Sequence, residues 1–371
     1  MRFLIINTDY LDFIQQLLEA NPGSEGLAFE EQHRLRMATL FGTADFYSTN
    51  LRALGHEAWD VIANIEPIQR QWAREQGLPA KRMEWRFRLR RGMVPWISRV
   101  KASHWLTDIL AEQVRRYRPD ILYCMAMETF GTEFLRKVKG YYRLAIGQHA
   151  APLPVIDYGA YDLVLSSLPN QVDHFRAQGM KAEYFRLGFE PRVLDQLAAR
   201  QPTFPIVFVG GLAGPHSTGA VVLETLARSV PIQVWGYGAG QLPIGSALRD
   251  RCHGPLFGVE MYRTLRDAKI VFNRHINVAG SYANNMRLYE STGVGSCLLT
   301  DAQSNLGDLF VPGREVLAYR SAEECIELAR YYLDHDAERE AIARAGQQRT
   351  LRDHTYAQRM QELVEIVKRH L

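Results

Sequence analysis

The stretch NMRLYESTGVGSCLLTD, residues 285–301, begins with a helical pattern and ends as a buried apolar run. Between the two halves lies Gly293-Val294-Gly295, and Glu290 follows Arg287 by three residues on the helical part. A helix that passes through a turn into a short apolar strand is one unit of an α/β rhythm, so its recurrence decides the fold. It recurs along the whole chain. One series of apolar runs reads FLIIN (3–7), DILYCMAM (120–127), RLAIGQ (143–148) and DLVLSSL (162–168). A second reads IVFVGGL (206–212), IQVWGYG (232–238), KIVFNRH (269–275) and SCLLTD (296–301). Continuous runs of this length fit strands covered on both faces, hence parallel strands between helices. Helical patterns such as AVVLETLARSV (220–230), MYRTLRDA (261–268) and ECIELARYYLDHD (324–336) fill the gaps. The fold class expected is α/β, with two Rossmann-like doubly wound domains.

The stretch 189–205, with three prolines and a short polar helix, reads as the linker between the two series. Domains are therefore expected at 1–190 and 204–353, and 371 residues suit two cores better than one. The final segment, 354–371, is an amphipathic helix with no strand after it and must pack on something already folded.

Composition narrows the class further. Hydrophobic residues are 47%, charged residues 23%, and the formal net charge is +3, too small to argue for nucleic acid by itself. The four cysteines are far apart, with no CxxC, which argues against a structural zinc site or a disulfide framework and suits a reducing cytoplasm. The apolar part of MRFLIINTDY is too short for a signal-peptide core, and no run of 18 apolar residues occurs. A cytoplasmic protein is expected. One stretch, 81–101, holds eight Lys or Arg against one Glu, interleaved with Trp85, Phe87 and Trp96. A solvated helix face is the plain reading of such a run; contact with an anionic membrane surface, or with a lipid-linked or phosphorylated acceptor, is the functional one.

Ligands of open α/β sheets bind outside the carboxyl ends of the strands. In the second series those ends read Gly210-Gly211-Leu-Ala-Gly214, Gly236-Tyr237-Gly238, Asn273-Arg274-His275 and Thr300-Asp301. Glycines let backbone approach a ligand, helix N-termini offer free N–H groups, and Arg274 adds a fork of donors; together they describe a diphosphate site. The GGLAG loop alone is equally a simple turn, being neither GxGxxG nor a Walker sequence. Glu290 suits the vicinal diol of a ribose, and Arg287, one turn earlier, shares its face. A surface Arg–Glu pair is the rival reading. The neighbourhood, rich in Gly280, Asn284 and Asn285, favours the site. The expectation is that Arg287 and Glu290 stand on the last turns of their helix and that the turn at 293–295 brings backbone close to the phosphates. In the first series, His149, Glu128 and Asp45 are candidates for a base, with a core or loop histidine and a helix cap as the alternatives for His149 and Asp45.

The segments HGPLFGVEMYRTLRDAKIVFNRH (253–275), NNMRLYESTGVGSCLLTD (284–301) and the run from Leu309 to Met360 resemble the C-terminal half of CgeB-like glycosyltransferases. These have a GT-B fold and are related to glycosyltransferase family 4. The likeness covers roughly 253–360, and FYSTNLRALGHEAWDVIAN (46–64) is more loosely similar to the start of such enzymes. What the resemblance implies is a nucleotide-diphosphate sugar donor in the second domain and a glycan, lipid-linked or protein acceptor facing the first. It places Glu290 on the ribose and Arg274 near the diphosphate; the strand-end reading sets Gly210, Gly211, Gly236, Asn273, Asn285 and Arg287 around them. It puts His149 near the reacting sugar and returns the last helix to the first domain. The residues themselves add that no cofactor and no metal are expected: arginine, N–H groups and helix dipoles would neutralise the diphosphate in place of a divalent ion held by paired aspartates. Many relatives carry a second glutamate seven residues before the ribose-binding one. Here that position is Ala283, which breaks the pattern and leaves the donor-sugar contacts and a retaining outcome open. A sugar-nucleotide epimerase, or a catalytically idle nucleotide-binding scaffold, are the competing expectations.

Overall fold

The computed structural model of the chain describes residues 1–78, 83–90, 94–101, 105–153, 155–212 and 220–371; for 83–90, 94–101 and 220 only the main chain is described. Thirteen strands are described. In chain order they are β1 (Arg2–Asn7), β2 (Glu57–Ile62), β3 (Met83–Arg90), β4 (Val94–Lys101), β5 (Ile121–Cys124), β6 (Leu144–Gln148), β7 (Leu163–Ser166), β8 (Ala182–Tyr184), β9 (Phe204–Val209), β10 (Ile232–Trp235), β11 (Ala268–Phe272), β12 (Cys297–Asp301) and β13 (Leu317–Tyr319). Six form one parallel sheet in the order β2-β1-β5-β6-β7-β8, and five form a second in the order β10-β9-β11-β12-β13. The central strands are apolar throughout because both faces are covered: every residue of β5 and β7 is buried. Each sheet has a strand-order reversal beside its first strand, β1 next to β5 and β9 next to β11, and there the carboxyl ends splay to leave a crevice.

Residues 83–90 and 94–101 pair as an antiparallel ribbon, β3 on β4, in place of the expected helix. Alternation explains it: Trp85, Phe87 and Leu89 are separated by Arg86 and Arg88, a period of two. The side chains expected to meet a membrane lie outside the described residues. No described helix is long and apolar enough to cross a membrane.

The two sheets are joined by more than the linker. After Phe189 the chain makes a short 3-10 turn, Pro191–Gln196, and Phe189 exchanges backbone hydrogen bonds with the 354–356 segment. The last helix, Tyr356–His370, opens with a capping box between Thr355 and Gln358. Its Tyr356 ring lies 5.4 Å from Phe46 and 5.5 Å from Tyr47, and Arg369 and His370 both reach Glu183, so this helix packs on the first sheet's helices. One buried cluster runs from Phe3 and Ile5 through Phe189 and Tyr356 to Val207 and Leu298. A shared core of this kind forms a seam on one side of the molecule and leaves a cleft on the other.

Candidate functional site

The cleft holds a cavity of about 680 Å³ lined from both sheets. From the second sheet come Gly210 and Gly211 after β9, Gly236 and Tyr237 after β10, Asn273 and Arg274 after β11, and Asn285, Arg287 and Glu290. From the first come Asn7, Thr8, Asp9 and Tyr10 after β1, Thr43, Glu128 after β5, and Gln148 and His149 after β6. All eight residues expected around a donor line this one cavity, and so do His149 and Glu128.

The helix Met286–Gly293 starts at a cap, where Asn285 accepts the Leu288 N–H. The same side chain donates to Asn273 Oδ1 (2.9 Å) and to the Arg274 carbonyl (3.2 Å), so the cap also fixes the turn that carries Arg274. Arg274 is buried, donates to the Gly211 carbonyl at 3.2 Å and lies 5.7 Å from the Phe208 ring. Burial pulls its guanidinium below the usual arginine range, a tendency countered by Tyr319 and Asp301. An anion in the cavity would relieve that cost. Behind the turn, the main chain and imidazole of His275 bond to Asp301, the ring at 2.7 Å.

Arg287 stands in the first turn of its helix and not, as expected, near the end. Its Nη1 lies 2.8 Å from Glu290 Oε2, and Tyr262 donates to Glu290 Oε1 at 3.5 Å. Burial pushes the Glu290 carboxyl up, against the pull of Arg287 and of the Tyr262 hydroxyl. The pair therefore joins a buried carboxyl to a half-buried guanidinium with a face on the cavity, and is not a surface ion pair.

The glycine-rich turn behaves otherwise than expected. A Cβ at Gly293 would sit 2.4 Å from the Phe189 ring, and Gly295 needs a left-handed φ of +88° beside Gln347, whose Nε2 donates to the Gly293 carbonyl. Neither glycine lines the cavity; the turn faces the seam. Close packing explains Gly236 as well, since a Cβ there would meet the Gly210 carbonyl at 1.9 Å. Gly214 lies outside the described residues.

On the opposite wall His149 is 4% exposed; its Nε2 lies 3.1 Å from the Pro152 carbonyl and its Nδ1 3.9 Å from Glu128 Oε2. With Nε2–H donated to that carbonyl, Nδ1 keeps the lone pair. Asp45 does not line the cavity. Its carboxylate meets Arg192 (3.0 Å) and Thr49 (3.0 Å), tying the helix Phe46–Ala53 to the linker. Ala283 is buried outside the cavity, and its N–H and carbonyl are both clamped by Asn305.

The sequence does contain an Asp-x-Asp triplet, Asp334-His335-Asp336, which tempers any argument from paired aspartates. It is exposed, Asp336 is engaged by Arg339 and Lys269, and it does not line the cavity. Among the described residues no group of three His, Cys, Asp or Glu is placed to hold a metal.

Three residues of the first wall were not anticipated. Asp9, 8% exposed, takes a bidentate bond from the fully buried Arg36 at 2.6 and 2.7 Å. Gln148 accepts from Tyr47 (3.1 Å) and Tyr123 (2.7 Å), and Tyr10 projects at the mouth. The signal for all three was the strand-end rule, applied to NTDY after β1 and GQH after β6.

Residues 218–365 match a family described as "Glycosyl transferase-like". Solved structures similar over nearly the whole chain include HepE of Anabaena in complex with UDP-glucose (TM-score 0.61, 10% identity, covering 99% of each chain). AviGT4, a glycosyltransferase involved in avilamycin A biosynthesis, gives a TM-score of 0.56 at 16% identity, covering 100% of this chain and 97% of that one. Sucrose-phosphate synthase of Thermosynechococcus elongatus gives 0.57 at 10% identity, covering 100% and 99%. No curated protein sequence matches. At such identities the likeness establishes the fold: it is GT-B.

Proposed function

We propose that the protein transfers a sugar from a nucleotide-diphosphate sugar to an acceptor hydroxyl, without a divalent metal. The observation that carries the reading is the meeting, over one cavity, of Arg274 and the Arg287–Glu290 pair on one wall with His149 and Glu128 on the other. HepE, of the same fold, is seen with UDP-glucose, which makes a uridine nucleotide the first donor to try. The diphosphate would lie against Gly210, Gly211 and Arg274, and the ribose diol against the Glu290 carboxylate. Asn273 and Asn285 hold the Arg274 turn in place. In the reaction the acceptor oxygen bonds to the anomeric carbon as the bond from that carbon to the diphosphate oxygen breaks. The acceptor proton passes to His149 Nδ1 or to Glu128, and Arg274 takes up charge developing on the leaving diphosphate. Stereochemical outcome stays open in this reading, because Ala283 offers no carboxylate to the donor sugar.

Ala283 also supports a second reading, a nucleotide-binding protein without turnover. One experiment separates the possibilities. The protein is incubated with UDP-glucose and other nucleotide sugars, with and without a mixture of sugar acceptors, in buffer containing a chelator, and the products are weighed by mass spectrometry. Release of nucleotide diphosphate with a glycosylated product is the expected result. A new sugar epimer formed without acceptor indicates an epimerase, binding without turnover the idle protein, and a requirement for added metal contradicts metal independence.

A further inference from the structure

Charge is divided unequally between the two walls of the cavity. Among the described residues lining it, both arginines, Arg274 and Arg287, belong to the second wall. The first wall contributes Asn7, Thr8, Asp9, Tyr10, Thr43, Glu128, Gln148 and His149, with no lysine or arginine. Arg36, behind that wall, is 0% exposed and is held by Asp9 in the bidentate pair. Glu128, half exposed, is left as the open charge of that wall. Among the described residues, a phosphate or carboxylate placed there would lose its water, find no cation and face a like charge.

The neutral groups on the same wall are arranged for hydroxyls. Both lone pairs of Gln148 Oε1 are taken by two buried phenols, Tyr47 at 3.1 Å and Tyr123 at 2.7 Å. The carboxamide is thereby held in one orientation, with its N–H2 group as what remains to offer the cavity. At the mouth, Tyr10 is 62% exposed and sits 6.0 Å from Phe41 and 6.4 Å from Tyr237 of the opposite wall. Phe257 closes the group at 4.8 Å from Phe41. Ring faces are electron-rich, so they pack on the weakly positive C–H face of a sugar.

We infer that the first wall selects an uncharged, hydroxyl-bearing acceptor, positioned by the Gln148 amide and the Tyr10 ring, and excludes acceptors carrying phosphate or carboxylate near the reacting hydroxyl. This rests on the donor reading above and adds the substrate class of its other half.

The test uses the full chain with UDP present. Methyl glucoside, methyl galactoside and methyl mannoside are each compared with their 6-phosphate and their uronate, by saturation-transfer NMR titration. The neutral members are expected to bind at least tenfold more tightly than either charged partner. Gln148→Glu should weaken the neutral glycosides about tenfold and leave UDP affinity unchanged, whereas Tyr10→Arg should narrow the discrimination against the phosphates. Equal binding, tighter binding of the charged members, or no binding of any neutral member overturns the inference. UDP that binds normally in those cases leaves the donor reading standing; UDP that fails to bind removes both.

Discussion

The helix Met286–Gly293 joins two regions, and the sequence motif that runs through both serves a different end in each. At its start, Asn285, Arg287 and Glu290 face the cleft, where a half-buried charged pair and a backbone turn stand beside open space. At its end, Gly293 and Gly295 face the seam, where Phe189 and Gln347 fill all the room a side chain would need. The two ends are eight residues apart: the first carries an amide and two charged side chains, the second carries glycines. A glycine beside a ligand and a glycine beside a phenylalanine look alike in sequence; only the strand order and the returning last helix decide which is which.

If that division holds, changes on the cleft side alter binding and leave the fold, and changes on the seam side do the reverse. The largest effect is expected from Arg274→Ala. Loss of a buried, charge-assisted contact costs about 3 kcal/mol, on the order of a hundredfold in affinity for UDP by calorimetry, with Arg274→Lys recovering part. Unchanged affinity would break the comparison on the cleft side.

The next effect belongs to the seam. His354 is buried between Tyr289 and Phe310, with Nε2 2.9 Å from the Leu309 carbonyl. Burial pushes the imidazole down from 6.5 to about 4; the Leu309 carbonyl opposes this, and Arg359, Arg186 and Arg349 add to it. The unfolded chain takes up this proton first, so the stability contributed is fully present above pH 6.5 and is lost as pH falls toward 4. The loss amounts to about 3 kcal/mol at most. Denaturant midpoints measured across that range should fall, and His354→Gln should flatten the slope.

Gly293→Ala sharpens the contrast further. Forcing a methyl against the Phe189 ring should destabilise by about 2 kcal/mol, seen as a lower urea midpoint, with UDP affinity of the folded protein unchanged. Affinity lost without stability would return this turn to the ligand site. The smallest effect is expected from Glu290→Gln, about 1.5 kcal/mol in nucleoside binding. Because burial raises the Glu290 carboxyl, wild-type affinity should decline on acidification at a higher pH than an ordinary carboxylate would dictate, and the variant should lack that decline.

The fold was legible where strands are buried on both faces. FLIIN, ILYC, LAIGQ and LVLS announce β1, β5, β6 and β7 because nothing polar interrupts them. In the two parallel sheets, the strands that the apolar runs omitted, β2, β8 and β13, are edges. There Glu57 and Asp60 break the pattern of β2, and β8 and β13 are only three residues long. The second wall was legible because its residues cluster within short motifs after strands. The first wall was legible only at His149 and Glu128: the role of Gln148 depends on Tyr47 and Tyr123, 101 and 25 residues away. Asp45 illustrates the converse. A carboxylate at a helix start near a strand end looked available, yet Arg192 of the linker, 147 residues on, occupies it.

The most direct measurement is a crystal structure of the protein soaked with UDP. The account places the diphosphate between the Gly210–Gly211 turn and Arg274, with the ribose hydroxyls on Glu290. Ordered nucleotide on the first wall or outside the cleft, with that second-wall crevice left to solvent, would contradict it.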